Sequence, residues 1–362
     1  MKKKMALLLA GVLSVSMLLS ACGNGGQPSG GNTNSPAPST SSPSGSETQQ
    51  PAGDPVKITF ASYGNSSMPP AMGHYDAIDY ISETSGGAIE IDFIPDGVLG
   101  GESDVMQQVM DGTVQMVECS ASSLNLYTTL SECFQLPFLI TDYETEQAAL
   151  SSDAAQAIYD KIAEDLGLKI IGFSENGLRH FANNTRPITC VDDLKGLKLR
   201  IAPSNMLTDA IERLGASPMT VGYNDVYSAL QNKVVDGEEI NLTSIYALKH
   251  YEQLKYVSEI GMYPYPAFVV FNLDFWNSLT DDQRQIITDG FTKGCENVFS
   301  TYLPDYEEEA RAAIVADNTT TINVIEGDAK QEFVDICTPI WDEYREKDPL
   351  IADFIAYVES LS

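Results

Sequence analysis

The chain is expected to be an α/β protein, and residues 196–241 carry that expectation most clearly. Leu197, Leu199 and Ile201 alternate with Lys198 and Arg200, the two-residue period of a strand with one buried face. Leu207, Ile211 and Leu214 then recur at helical spacing, and Gly215 follows as a C-terminal stop. A short extended piece at 218–221, a helix stripe at Val226, Ala229 and Leu230, and the apolar pair Val234-Val235 complete a strand–helix–strand–helix–strand pattern. Arg200 stands near the C-terminal end of the first strand, the edge of an open α/β sheet at which ligands bind.

The remaining elements follow in order. An alternating strand at 56–61 opens the folded part, a helix is expected from about 70 to 84, and 89–94 alternates as a second strand. The turn 95–102 feeds a helix with Val105, Met106, Val109 and Met110 on one stripe, ending before Gly112. Residues 168–173 form a buried strand. Thr280-Asp281-Asp282-Gln283 is a capping box that opens a long helix through Ile286, Ile287, Phe291 and Val298 and on past Ala310. An extended piece at 322–325 and helices around Phe333 and Phe354 close the chain.

Length and composition narrow the function classes. At 362 residues the chain has room for two domains with their own cores, and 43% hydrophobic content excludes bulk disorder and bulk membrane residence. The formal charge of −30 argues against nucleic acid, whose phosphates require a basic face. Lys2, Lys3 and Lys4 precede an apolar run over 5–19 that is too short for a transmembrane helix, which marks 1–21 as an export signal. Leu19-Ser20-Ala21-Cys22 resembles the lipobox of bacterial lipoproteins, so Cys22 is expected to carry an acyl anchor, the alternative being an ordinary secretory signal. Residues 22–55 then read as the lipidated cysteine and a Gly/Ser/Pro tether that buries too little to fold.

Cys119, Cys133, Cys190, Cys295 and Cys337 show no Cys-x-x-Cys spacing and read as buried free thiols. His74, His180 and His250 are widely separated, which leaves little for a triad or a zinc site. Asp236, Glu238 and Glu239 lack the spaced oxygens of a calcium loop, and the folded region has no glycine-rich phosphate loop. No catalytic group, metal or cofactor is expected.

Four pieces of the central stretch resemble the signature of the solute-binding proteins of TRAP transporters, the DctP type. They are Gly196-Leu197-Lys198-Leu199-Arg200-Ile201, Leu214-Gly215-Ala216, Asp225-Val226-Tyr227-Ser228-Ala229-Leu230-Gln231 and Val235-Asp236-Gly237-Glu238-Glu239. Asp225 replaces the family's Glu, and Ile240 stands where its Asn is usual. Leu136-Pro137-Phe138 and Asn176-Gly177-Leu178-Arg179 match further family elements. The resemblance spans 56–362. It implies a two-lobed, periplasmic-binding-protein-like fold of the class II type with a hinge, and a long helix bracing both lobes. Lobe I is expected at 56–177 plus 266–307 and lobe II at 178–265 plus 308–362. The chain should cross between lobes in 178–199 and again at Tyr263-Pro264-Tyr265-Pro266, where the family's usual Asn or His is missing.

The implied function is to capture a small carboxylate-bearing solute outside the cytoplasm and deliver it to a TRAP-type permease of small and large membrane subunits. An arginine fork matches two carboxylate oxygens, and by resemblance Arg200 is that fork. Arg179 carries over either as a second cleft arginine or as a brace for Glu175 or Glu239, and Arg186 serves the fold. Tyr223 either packs on the ligand or belongs to the core. Glu239 and Asn241 lie in the Asp-Gly turn, with Asn241 a candidate substitute for the displaced family Asn. Tyr63, Asn65, Ser66, Glu102 and Tyr263 are placed to line the cleft, with capping or loop roles as their alternative. Two other readings stay open: a sensor presenting its closed form to a receptor, and an exported enzyme using Glu239, Asp225 and an arginine.

Overall fold

The computed structural model describes residues 54–361 apart from 318. The expected signal 1–21, Cys22 and nearly all of the tether 22–55 lie outside the described residues.

The chain builds two mixed sheets. In the first, β1 (Val56–Ser62) lies parallel to β2 (Ile89–Ile94) and β3 (Met116–Ser120). These strands are joined by α1 (Pro69–Thr84) and α2 (Glu102–Met110). After α3 (Ala121–Leu124), α4 (Tyr143–Leu150) and α5 (Asp153–Leu166), β4 (Leu168–Glu175) forms the edge of the sheet. The second sheet begins with β5 (Arg179–Asn183). It continues through β6 (Lys198–Ile201), α6 (Asn205–Arg213), β7 (Ser217–Thr220), α7 (Val226–Gln231), β8 (Gly237–Asn241), α8 (Leu242–Ala247) and β9 (Tyr256–Glu259). The chain then returns to the first sheet as β10 (Pro266–Asn272), antiparallel between β3 and β4. The helices α9 (Leu273–Ser278), α10 (Asp281–Asn297) and α11 (Leu303–Ala316), strand β11 (Thr321–Val324), α12 (Gly327–Cys337), α13 (Pro339–Arg345) and α14 (Pro349–Glu359) complete the chain. The sheet orders are β2-β1-β3-β10-β4 and β11-β9-β5-β8-β6-β7.

The expected long helix runs from α10 through a π-helical turn, Val298–Tyr302, into α11. Pro304 accounts for the wide turn. It has no N–H to donate, and its ring crowds the carbonyl four residues back, so a looser turn absorbs the misfit. The α10 part packs on α1 and β4 of the first sheet, and α11 packs on α8 of the second. Its seam with α1 is glycine-tight: a Cβ on Gly294 would stand 2.2 Å from the Gly73 carbonyl oxygen.

Two expectations about the lobes need correction. The first crossing is not 178–199 but the short link 176–178, because β5 already pairs with β8 from Arg179 and with β9 from Phe181. Residues 308–362 do not all belong with the second sheet. α12 packs on α6 of that sheet, but α14 packs on α4 and α5 beside the first. The C-terminal helices carry one apolar core across both halves: Phe134 of the first half meets Phe354, and Phe333 meets Phe181 of β5. Sequence periodicity marks these helices as amphipathic but does not say which neighbour receives the apolar face.

Candidate functional site

The parallel strands of both sheets point their C-terminal ends at one seam, and the antiparallel β5 and β10 start there. That topology gathers Gly64 after β1, Asn176 and Tyr265 on the two crossings, Arg179 on β5, Arg200 on β6 and Asn241 on β8 around one small cavity. Tyr63, Tyr223 and Ser244 complete its lining. The space open to the centre of a water molecule is about 10 Å³, room for about one water.

The crossings are held by one carboxylate. Glu175 Oε1 accepts the N–H of Gly177 at 2.6 Å on the first crossing and that of Tyr265 at 2.8 Å on the second. Gly177 has φ +120°, a conformation that an L side chain adopts only with strain, and a Cβ there would crowd Glu307 Oε1 at 3.1 Å. Burial and then the neighbouring Glu175 hold the Glu146 carboxyl well above the usual carboxylate range, so this pair retains a proton.

Two arginines face the cavity, each 2% exposed. Arg179 already has its counter-charge within the protein. Its Nε donates to Glu239 Oε1, and its Nη2 donates to Glu239 Oε2 at 3.0 Å and to the Glu239 carbonyl at 2.6 Å. Its guanidinium also stacks 4.3 Å from the centroid of the Tyr265 ring. Burial alone would lower its pKa, but the Glu239 carboxylate outweighs that and holds the charge more firmly than usual. Arg200 is different. Its Nε donates to the Val221 carbonyl at 3.0 Å, and among the described residues no carboxylate lies within ion-pair distance of it. Leu199 and Ile201 on either side are fully buried in the core, which leaves Arg200 on the cavity face of β6.

The other predicted residues divide. Tyr63 and Tyr223 line the cavity as an edge-to-face pair 5.5 Å apart, and Tyr223 Oη meets Ser244 Oγ at 3.1 Å. Burial raises the pKa of both phenols, so they face the site neutral. Asn241 also lines it, paired across the ladder with Arg179, whereas Ile240 lies in the core on the opposite face. Glu239 does not line the cavity, since its carboxylate is consumed by Arg179. Tyr263 is not in the lining either; it is fully buried, and its neighbour Tyr265 takes the place expected of it. Asn65 accepts from Ser67 N–H at 2.9 Å, and the Ser66 N–H donates to Asp96 Oδ1 at 2.8 Å, so both shape their loop. Glu102 accepts from Ser120 and Ser123 and borders an adjoining depression with Asp104 and Asp225. Arg186 donates to the carbonyls of Asp193 and Lys195, a role in the fold.

Asn176, Gly64, Ser244 and Tyr265 were not singled out by sequence. Asn176 sits in the Asn-Gly-x-Arg element noted there as a family resemblance and Tyr265 in the expected second crossing, while Gly64 and Ser244 have no signal of their own. The described residues hold no group of three or more His, Cys, Asp or Glu placed to bind a metal ion, and no helix among them is long and apolar enough to cross a membrane.

Comparison with known proteins agrees with this architecture. The family model of bacterial extracellular solute-binding protein, family 7 (DctP) matches residues 77–348. The C4-dicarboxylate-binding protein DctB of Bacillus subtilis (strain 168) is 27% identical over 292 residues, covering 80% of this chain and 83% of that protein. Two solved TRAP periplasmic solute-binding proteins share the fold. One, from Roseobacter denitrificans with bound β-D-glucuronate, has a TM-score of 0.78 at 22% identity, covering 83% of this chain and 98% of its own. The other, from Shewanella oneidensis with bound succinate, has a TM-score of 0.77 at 24% identity, covering 83% and 99%. The chain belongs to family 7 of the bacterial extracellular solute-binding proteins, the solute-binding proteins of TRAP transporters.

Proposed function

We propose that this protein captures a small organic acid between its two sheets, with Arg200 as the carboxylate clamp, and hands it to a TRAP-type membrane permease. The observation that carries the reading is Arg200: a buried guanidinium with no acidic partner among the described residues, facing a small cavity. Removing a charge from water is unfavourable unless something pairs with it, and an anionic ligand supplies the pair. Glucuronate and succinate, bound by the two solved relatives, both present a carboxylate.

The cavity is too small for such a solute as it stands, so entry requires the two lobes to part at 176–178 and 260–265. We assign lobe I to 56–175 plus 266–302 and lobe II to 179–259 plus 303–337, with α14 returning to lobe I. Closure follows when one solute contacts both lobes. In this reading Cys22 carries the acyl anchor, the binding site lies outside the cytoplasm, and the protein catalyses nothing. Fatty-acid labelling that is lost in Cys22→Ser tests the anchor. Native mass spectrometry of the purified protein, followed by calorimetric titration of the co-purifying acid into parent and Arg200→Ala, tests the clamp. Loss of about 2–5 kcal/mol on removing one partner of a buried charge pair corresponds to roughly 30-fold weaker binding or more. Equal binding by the two proteins would refute the assignment.

A further inference from the structure

The Asn241 side chain has one satisfied end and one orphaned end. Its Nδ2 donates to the backbone carbonyl of Asn176 at 2.6 Å. A carbonyl only accepts, so this contact fixes the amide orientation and turns Oδ1 the other way. Oδ1 has no partner, in a residue that is 1% exposed and lines the same cavity as Arg200. A buried acceptor left unpaired is unfavourable and uncommon in folded proteins. No polar group of the lining relieves it: Arg179 Nε and Nη2 are held by Glu239, Tyr223 Oη is engaged by Ser244 and Met68 Sδ, and none of the described residues donates to Oδ1.

We infer that the solute carries an O–H or N–H donor beside its carboxylate, and that Asn241 Oδ1 is the group that selects for it. The inference rests on the carboxylate reading above. Arg200 and Asn241 line the same cavity, so an acid seated on the Arg200 fork has Asn241 among its neighbours once the lobes close on it. The adjoining depression, of about 220 Å³, extends the same chemistry. It shares Tyr63 and Tyr223 with the cavity and is bordered by Glu102, Asp104 and Asp225, with no lysine or arginine in its lining. Its carboxylates accept hydrogen bonds from hydroxyl or ammonium groups and repel a second carboxylate. A site built to bond a donor rejects the analogue that lacks it, because the buried acceptor then stays unpaired.

The test uses matched acids on the full chain, with calorimetry: propionate, lactate and alanine differ only in the group beside the carboxylate, and succinate and malate differ in the same way. Lactate or alanine should bind at least about tenfold tighter than propionate, and malate at least about tenfold tighter than succinate. Whether lactate or alanine ranks first identifies the donor as hydroxyl or ammonium. In Asn241→Leu the ratio of lactate or alanine affinity to propionate affinity should collapse to near unity, whatever the absolute affinities, with Thr243 Oγ1 still donating to the Asn176 carbonyl. If that variant does not melt cooperatively, Asn241→Ala makes the same comparison. Equal affinities within each pair for the parent, or a preference that survives loss of Asn241, would overturn the inference. Failure of every acid to bind would overturn the carboxylate reading beneath it.

Discussion

Arg179 and Arg200 are equally buried and face the same cavity, yet one is a finished ion pair and the other half of one. Arg179 spends its fork on Glu239 and its face on Tyr265. Arg200 donates to a backbone carbonyl, meets no carboxylate among the described residues, and lines the cavity. Burial therefore does not distinguish a structural arginine from a binding one. The distinction lies in whether the protein itself supplies the counter-charge.

The largest effect should come from breaking the finished pair. Arg179→Met leaves the Glu239 carboxylate buried without a partner, a change that destabilises by about 3–5 kcal/mol. Chemical denaturation of the ligand-free protein should show it as a lower midpoint, and an unchanged midpoint would deny the pair its structural role. Arg200→Ala should do the opposite. It removes an unpaired buried charge, so the ligand-free midpoint should stay near the parent's while solute affinity falls. Arg200→Lys should recover little affinity, because an ammonium offers a point charge and not a planar fork. Calorimetry with the co-purified acid checks both variants.

The carboxyl pair at the crossings gives a smaller, pH-dependent term. Glu146 keeps its proton in the folded chain well above the usual carboxylate pKa, chiefly through burial and then through repulsion from Glu175. The unfolded chain releases that proton near pH 4. The folded state therefore holds the extra proton, and this contribution is complete below about pH 4 and lost as pH rises through the raised folded value. Glu146→Gln should flatten this slope, with melting temperatures gaining on the parent as pH rises above about 4; parallel profiles would show the pair does not titrate. His180 acts on the acid side. Burial, then the charges of Arg311, Arg179 and Lys330, push its pKa down to about 3, and its Nδ1 accepts the N–H groups of Ile260 and Gly261. Its stabilising term is present above about pH 6.5 and lost as pH falls toward 3.

The smallest effect is expected at the surface. Arg213 bridges Asp209 and Glu343 between α6 and α13. As a partly exposed cluster it should contribute about 0–1 kcal/mol, so Arg213→Ala should shift the midpoint far less than Arg179→Met and should respond to added salt.

Periodicity alone marked the strands around Leu199 and Phe60, the α10 capping box at Thr280, and Arg200 on the polar face of β6, because these depend on neighbours close in the chain. Family spacing extended that reading to the two sheets and the long bracing helix. What residue pattern did not convey were the contacts made between distant segments. The pairing of Glu239 with Arg179 spans sixty residues of sequence; the sequence leaves Glu239 and Glu175 as alternative partners, and only the fold chooses between them. The return of α14 to the first sheet depends on which apolar face meets α5. That Tyr265 lines the cavity while Tyr263, two residues earlier, is buried is settled by the packing of the second crossing and not by any alternation in its sequence. The chain sequence determined which residues were polar, apolar or charged and in which elements they lay. Only the tertiary structure decided which charges found partners and which waited for a ligand, since pairing is a property of three-dimensional proximity and not of order along the chain.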